Sequence, residues 1–342
     1  MLQDKNVLLI SVKFFNYELL IKKELENMGA TVVLYDERPS NSFFSKAIIR
    51  LKREVYKTKI TSYYKKIIEE IGKKRFDYFL LIKGEAVPPF FIEFLRNVNP
   101  GIKLIYYTYD SFKNNKNGLD ILNLFDSKYT FDSNDSIKYK IGFRPLFFAT
   151  DYSNLYRNNK EQFIYDLAFI GTAHSDRYKI AEDAKIWCNE NRLKAFTFYF
   201  SPSELLFRIK KLIEKSFKDF DKSKISFKSL SHNDIISIYN NSKVILDINH
   251  PGQKGLTMRT FESLGAGRKL ITTNEDVKKY PFYNSKNIWI INRDNPVYDL
   301  SFFETEFVPI DEDLYKSMSI KGWIEEVFGL KSTAVWDNVL EN

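Results

Sequence analysis

Short, almost wholly apolar runs alternate along this chain with longer stretches whose apolar residues return every third or fourth position, the periods of strand and helix. In the first half the apolar runs predict strands at Val7–Val12, Thr31–Asp36, Asp77–Lys83, Lys103–Tyr109 and Lys128–Phe131. Helices are predicted between them at Tyr17–Met28, Phe43–Ile71, Pro89–Asn97 and Gly118–Phe125, with Gly29 as the C-terminal stop of the first. A polar stretch, Asp151–Gln162, reads as a linker. Beyond it strands are predicted at Asp166–Ile170, Ala195–Phe200, Ile225–Phe227, Val244–Ile248, Lys269–Thr273 and Asn287–Ile291, with helices at Arg177–Asn189, Pro202–Phe217, Asn233–Asn240 and Thr257–Gly265. Strands this short and this apolar suit a parallel sheet covered on both faces.

Strand–helix alternation in both halves predicts an α/β protein of two doubly wound, Rossmann-like domains facing each other across a cleft. The expected boundaries are 1–155 and 160–310, followed by a helical segment, 311–342, that crosses back to the first domain and packs Trp323 and Phe328 there. A chain of 342 residues is long enough for a core in each.

Composition changes this picture little, and charge changes it in one place. A single cysteine, Cys188, excludes an intramolecular disulfide and a cysteine-rich zinc site. The N-terminus lacks the apolar core of a signal peptide, and no run approaches the roughly 20 apolar residues of a membrane span. A cytoplasmic protein is expected. Between Lys46 and Arg75 stand 11 Lys/Arg and 3 Glu, an excess equal to the whole net charge of +8. Such a helix is either a solvated face or a peripheral contact with the anionic inner face of a membrane or with a lipid pyrophosphate. No nucleic-acid motif accompanies it, so nucleic acid is not an expected partner.

The chemistry concentrates in residues 249–274, NHPGQKGLTMRTFESLGAGRKLITTN. A strand end leads into a Gly-containing loop with His250 and Lys254, then Gly255 and Leu256, a helix from about Thr257, and a stop at Gly265–Gly267. Helix N-termini at the carboxyl edge of a parallel sheet favour a phosphate. Thr257 is the expected N-cap, Arg259 is placed to meet a diphosphate, and Glu262, one turn on, is placed to hold two ribose hydroxyls. Without a ligand, the same pair is worth only about 0.3 kcal/mol.

This stretch resembles the donor-binding region of GT-B glycosyltransferases, in particular the bacterial polysaccharide-synthesis and CgeB-like group. The pattern R-x-F-E-x-L-x-x-G, followed by a strand ending in Thr-Asn, is matched by Arg259, Phe261, Glu262, Leu264, Gly267 and Thr272–Asn274. DLAFIGTAHSDRY, 166–178, is similar to the first strand and loop of that donor domain through Gly171, His174 and Arg177. Residues 80–88, 105–111, 131–135 and 143–148 look like strand ends of the acceptor domain, so the resemblance spans roughly 75–275.

The resemblance implies a metal-independent transferase that passes a sugar from a nucleotide-sugar, by default a UDP-sugar, to a glycan or lipid-linked acceptor in surface polysaccharide synthesis such as capsule or O-antigen. No bound cofactor is expected. For the base that activates the acceptor hydroxyl, the candidates in order are Asp110, Glu85 and Asp132, carboxylates at strand ends of the first half. The bland alternative for Asp110 and Glu85 is a helix N-cap. Many retaining members pair two Glu, and here Lys254 stands where the first would be, eight before Glu262, which leaves the stereochemistry open. Two rivals remain: a nucleotide-sugar epimerase of the same fold, and a non-catalytic nucleotide-sugar-binding subunit. A dinucleotide oxidoreductase is disfavoured because no G-x-G-x-x-G follows the first strand.

Overall fold

The computed structural model describes residues 2–41, 53–158, 162–214, 217–218, 220–252, 254–331 and 334–341. They fall into two compact units, Met1–Pro145 with Ile320–Glu341, and Leu146–Ser319.

The first unit runs β1 Asn6–Ser11, α1 Tyr17–Asn27, β2 Thr31–Asp36, α2 Arg53–Ile71, β3 Tyr78–Ile82, α3 Pro89–Val98, β4 Lys103–Thr108, α4 Lys116–Asp120, β5 Ser127–Thr130, α5 Ser133–Tyr139 and β6 Gly142–Phe143. Its strands form one parallel sheet in the order β2-β1-β3-β4-β5-β6. Val7 to Ile10 and Phe79 to Ile82 are wholly buried, as strands covered on both faces must be. Helix α2 buries Tyr56, Ile60, Tyr64, Ile67 and Ile71, a stripe at helical spacing, in the core it shares with α3 and β3. Lys57, Lys59, Lys65 and Lys66 lie exposed on its other faces. The part of the expected helix before Arg53, with Lys46, Arg50 and Lys52 of the basic run, lies outside the described residues.

The second unit runs α6 Thr150–Arg157, β7 Tyr165–Thr172, α7 Arg177–Glu190, β8 Ala195–Phe200, α8 Glu204–Ile213, β9 Ile225–Ser226, α9 His232–Asn240, β10 Ser242–Asp247, α10 Met258–Gly265, β11 Lys269–Thr272, β12 Ile288–Ile290, α11 Leu300–Glu304 and α12 Glu312–Met318. Its parallel sheet has the order β12-β11-β10-β7-β8-β9.

Two sequence expectations change. The stretch read as a linker from Asp151 carries helix α6, because its polar run hides an anchoring face. Tyr152 is buried edge-on to Tyr239 at 5.2 Å, and Asp151 meets the His232 ring at 2.8 Å. The division between units therefore falls at Pro145/Leu146 rather than near residue 155. The terminal helical pattern breaks at Ser319 into α12, in the second unit, and α13 Ile320–Val327, in the first. Helix α13 sets Trp323 edge-on to Tyr107 at 4.7 Å and Phe328 against Tyr78 at 5.0 Å, and gives Glu326 to the buried Arg144 at 2.7 Å.

Candidate functional site

In an open parallel sheet, ligands bind outside the carboxyl ends of the strands where the strand order reverses. In the second sheet that point lies between β7 and β10. The chain leaving β7 carries Ala173 to Arg177, the chain leaving β10 carries Ile248 to Gly252, and α10 starts close by. Gly171 is required there because a Cβ would lie 2.4 Å from the Phe169 ring.

Asp247, the last residue of β10, is the pin of this edge. Its carboxylate accepts from Thr257 Oγ1 at 2.6 Å and Thr260 Oγ1 at 3.2 Å. Thr257 does occupy the N-cap position of α10, but its hydroxyl turns to Asp247 instead of capping the helix. The first turn thus takes no side-chain cap. At the far end Gly267, at φ +65°, turns the chain back, and a Cβ on Gly265 would strike Phe148.

Three guanidinium groups gather at this edge. Arg177 Nε donates to Ile248 O at 2.8 Å. Arg293 donates to the next carbonyl, Asn249 O, at 2.7 Å, to Asn249 Oδ1 at 2.6 Å, and to both oxygens of Asp176 at 2.7 and 2.8 Å. Burial, and then the nearby charges of Arg259 and Arg293, hold Arg177 below the usual arginine range, with Asp247 opposing them. The carboxylates of Asp176 and Asp247 offset part of this positive charge, and a bound anion would offset more.

The two imidazoles lie together, His174 edge-on to His250 with ring centroids 4.7 Å apart. Burial, followed by the charges of His250, Arg177 and Lys210, pushes His174 down to about 4, so it is neutral near pH 7. His250 is exposed, and its Nδ1 accepts from Gly252 N at 3.1 Å. Lys254 is exposed, and its carbonyl takes Asn274 Nδ2 at 3.0 Å. Gly255 and Leu256 are buried beneath the loop. Glu262 is more enclosed than a ribose-facing carboxylate was expected to be, at 5% exposed, and it accepts from the Tyr239 hydroxyl at 3.4 Å.

In the first unit the order reverses between β1 and β3, and a charged cluster stands at that edge. Arg38 Nε donates to Glu85 Oε2 at 2.6 Å, and Lys83 Nζ lies 3.9 Å from Glu85 Oε1 and 3.0 Å from Asp110 Oδ2. Lys83 and Gly84 both have positive φ, +85° and +73°, a conformation that costs a lysine about 1–2 kcal/mol. Its carbonyl is held by Tyr106 Oη at 2.7 Å and by Asn115 Nδ2, and the Gly84 carbonyl by Asn117 Nδ2 at 2.8 Å. The turn aims Lys83 at both carboxylates. Neither Glu85 nor Asp110 is an N-cap: α3 begins after Pro88 and α4 is capped by Asn115. Asp132 is one, accepting from Asn134 N and Asp135 N at 2.9 and 3.2 Å at the head of α5, so its place among the base candidates is corrected to a structural one.

Glu37 lies within the same cluster, fully buried, with Oε1 accepting from Ala86 N at 2.6 Å. Burial, partly offset by that bond and reinforced by Glu85, pushes it up from 4.5 to about 7. The folded state therefore keeps a proton that the unfolded chain releases between those values. This stabilisation is complete below pH 4.5 and is lost as pH rises through about 7. Glu37→Gln keeps the acceptor and removes the titration. It is expected to match the parent near pH 4.5 and to exceed it above pH 7 by on the order of 3 kcal/mol. Urea midpoints at the two pH values check this, and a difference that does not change with pH rejects it.

Solved structures that superpose on most of the chain include an α-glucosyltransferase in complex with UDP and a 13-mer DNA containing a central A:G mismatch. It matches at TM-score 0.53 and 12% identity, covering 99% of this chain and 94% of that one. The UDP-GlcNAc 2-epimerase of Methanocaldococcus jannaschii matches at TM-score 0.54 and 11% identity, over 96% of this chain and 100% of the other. AviGT4, a glycosyltransferase involved in avilamycin A biosynthesis, matches at 0.54 and 9%, over 95% and 96%. The fold is GT-B. No family model matches the sequence, and no curated protein matches it either.

Within this GT-B chain, sequence reasoning missed Arg293, Asp247, Asn249 and Tyr239 in the second unit, and Glu37, Arg38 and Lys83 in the first. The signal for Asp247 was present, an acid closing an otherwise apolar strand. Arg293 stands in a loop of Asn, Asp and Pro with nothing in the sequence to mark it. Two Asp-x-Asp triplets occur, at 219–221 and 311–313. Asp221 caps the turn before β9 and Asp311 caps α12, both as structural residues.

Proposed function

We propose that this chain is a glycosyltransferase that moves a sugar from a nucleotide-sugar to a glycan or lipid-linked oligosaccharide acceptor of a surface polysaccharide. The observation that carries the reading is the gathering of Arg177, Arg259 and Arg293 beside the uncapped start of α10. That arrangement suits a diphosphate, since backbone N–H groups and guanidinium groups both meet it. His174, His250 and Lys254 line its approach above the buried Gly171, Gly255 and Leu256, and Thr257 ties the start of α10 to Asp247. Glu262 takes the ribose. UDP is the first choice of nucleotide, in keeping with the UDP and UDP-GlcNAc of the superposed proteins.

Asp110 of the first unit is assigned as the base for the acceptor hydroxyl. It is partly exposed, and Lys83 keeps it beside a cation at 3.0 Å. Glu85, buried and paired to Arg38, is better suited to position Lys83 than to meet a substrate. Charge on the departing diphosphate is assigned to the arginines and the helix start, so turnover is expected to survive a chelator.

A second reading, a nucleotide-sugar epimerase, draws on an epimerase match of the same quality as the transferase matches. Thermal shift with UDP-, GDP-, dTDP-, CDP- and ADP-sugars tests the donor site. One nucleotide family is expected to raise the midpoint by roughly 4 °C or more, and no shift with any of them rejects the reading. Incubation of the stabilising nucleotide-sugar alone then separates the two enzymes, because only the epimerase changes the sugar without an acceptor.

A further inference from the structure

Helix α8 turns its apolar side outward. Phe207 is its buried anchor, at 1% exposed, and Ser203 caps its start through Leu206 N at 3.4 Å. On the opposite side Leu205, Ile209, Leu212 and Ile213 follow at helical spacing and are 68, 41, 83 and 76% exposed. Four exposed aliphatic side chains on one short helix are a patch, unlike the scattered single apolar residues of an ordinary surface.

The surroundings of this patch are cationic. The described residues of 204–224 carry 6 Lys/Arg and 3 Asp/Glu. Arg208 flanks one side of the stripe, 64% exposed, and shares Glu204 with Lys222. Lys210 flanks the other and sits over the Phe217 ring at 5.0 Å. Exposed apolar residues between basic flanks complement a bilayer interface with anionic headgroups. Helix α2, with 5 Lys/Arg and 3 Glu, exposes Val55 but has no such stripe, because its other apolar residues are buried in the core or packed against it. A solvated basic face without apolar anchors is held only by long-range charge, which salt screens.

We propose that α8 is a docking surface for an anionic lipid bilayer, with Leu205, Ile209, Leu212 and Ile213 entering the headgroup boundary and Arg208, Lys210 and Lys222 meeting the phosphates. Three residues separate the end of β8 from the start of the helix, at the carboxyl edge of the second sheet. Lys210 is close enough to His174 for its charge to help hold that imidazole neutral. Helix α8 therefore starts at the same edge of the sheet as the proposed diphosphate site.

The full-length chain is to be mixed with vesicles of phosphatidylcholine alone, and with vesicles that also contain phosphatidylglycerol, and sedimented. Binding is expected with the anionic vesicles and weaker by about tenfold or more with the neutral ones. Leu212→Ser combined with Ile213→Ser is expected to weaken it by about tenfold, with the thermal midpoint and nucleotide binding unchanged because both side chains are already in solvent. A double variant that sediments like the parent overturns the proposal. So does binding lost on Lys57→Glu with Lys59→Glu, on α2, but kept by the α8 variant. A parent that elutes as a dimer, and becomes monomeric in the α8 variant, assigns the patch to a second copy of the chain and overturns it as well.

Discussion

Arg259→Ala is expected to weaken binding of the stabilising nucleoside diphosphate by about 30- to 100-fold, with the thermal midpoint of the ligand-free protein nearly unchanged. The size follows from the bond removed. A guanidinium meeting a phosphate in a partly enclosed site is worth about 2–3 kcal/mol, and each 1.4 kcal/mol is tenfold in affinity. The ligand-free fold should tolerate the change because Arg259 opposes its neighbour. Its charge is the first after burial among the causes that hold Arg177 down. Arg259→Lys keeps the charge but not the two-pronged donor, so it should recover only part of the loss. Isothermal titration with the free diphosphate measures all three proteins. Equal affinities in parent and Arg259→Ala would leave the start of α10 without a ligand role.

The alternation of strand and helix was legible from the sequence because both sheets are parallel and covered on both faces. Each strand then reads as an apolar run, and Thr31–Asp36 and Ala195–Phe200 fall where the pattern put them. Helix α6 was not legible, since Asp151 to Arg157 shows few apolar residues and its anchors, Tyr152 on Tyr239 and Tyr156 on Tyr315, reach distant chain. Helix α5 and the two-residue strand β6 were missed for the same reason: short elements take their partners from distant chain. At the site, the residues found were those on one continuous segment, such as Arg259 and Glu262, where helical spacing implies a shared face. The residues missed join through the fold. Arg293 reaches Asn249 across 44 positions, and Arg38 reaches Glu85 across 47, separations that no local pattern encodes.

Asp110→Asn is expected to lower the rate of sugar transfer by about 10²- to 10⁴-fold, the usual contribution of a positioned base, with nucleotide affinity unchanged. The asparagine keeps the size of the side chain and an oxygen that can still face Lys83. It also keeps the backbone contacts of this turn, Asp110 N to Thr108 Oγ1 at 3.1 Å and Thr108 Oγ1 to Asp110 O at 2.8 Å. What it removes is the capacity to take a proton. Because nucleotide binding is assigned to the other unit, Kd for the diphosphate and kcat should separate in this variant, whereas Arg259→Ala should change Kd. Glu85→Gln provides the control. It leaves Arg38 and Lys83 with one less charge to share, so it should lower the unfolding midpoint as well as the rate. Glu85 is 4% exposed, and loss of a charge from a buried pair costs about 3–5 kcal/mol. Transfer from labelled nucleotide-sugar to membranes bearing lipid-linked acceptors reads the rate for both variants. If Asp110→Asn turns over within a few-fold of the parent, while Glu85→Gln is folded and inactive, the base is Glu85 and the roles of the two carboxylates exchange.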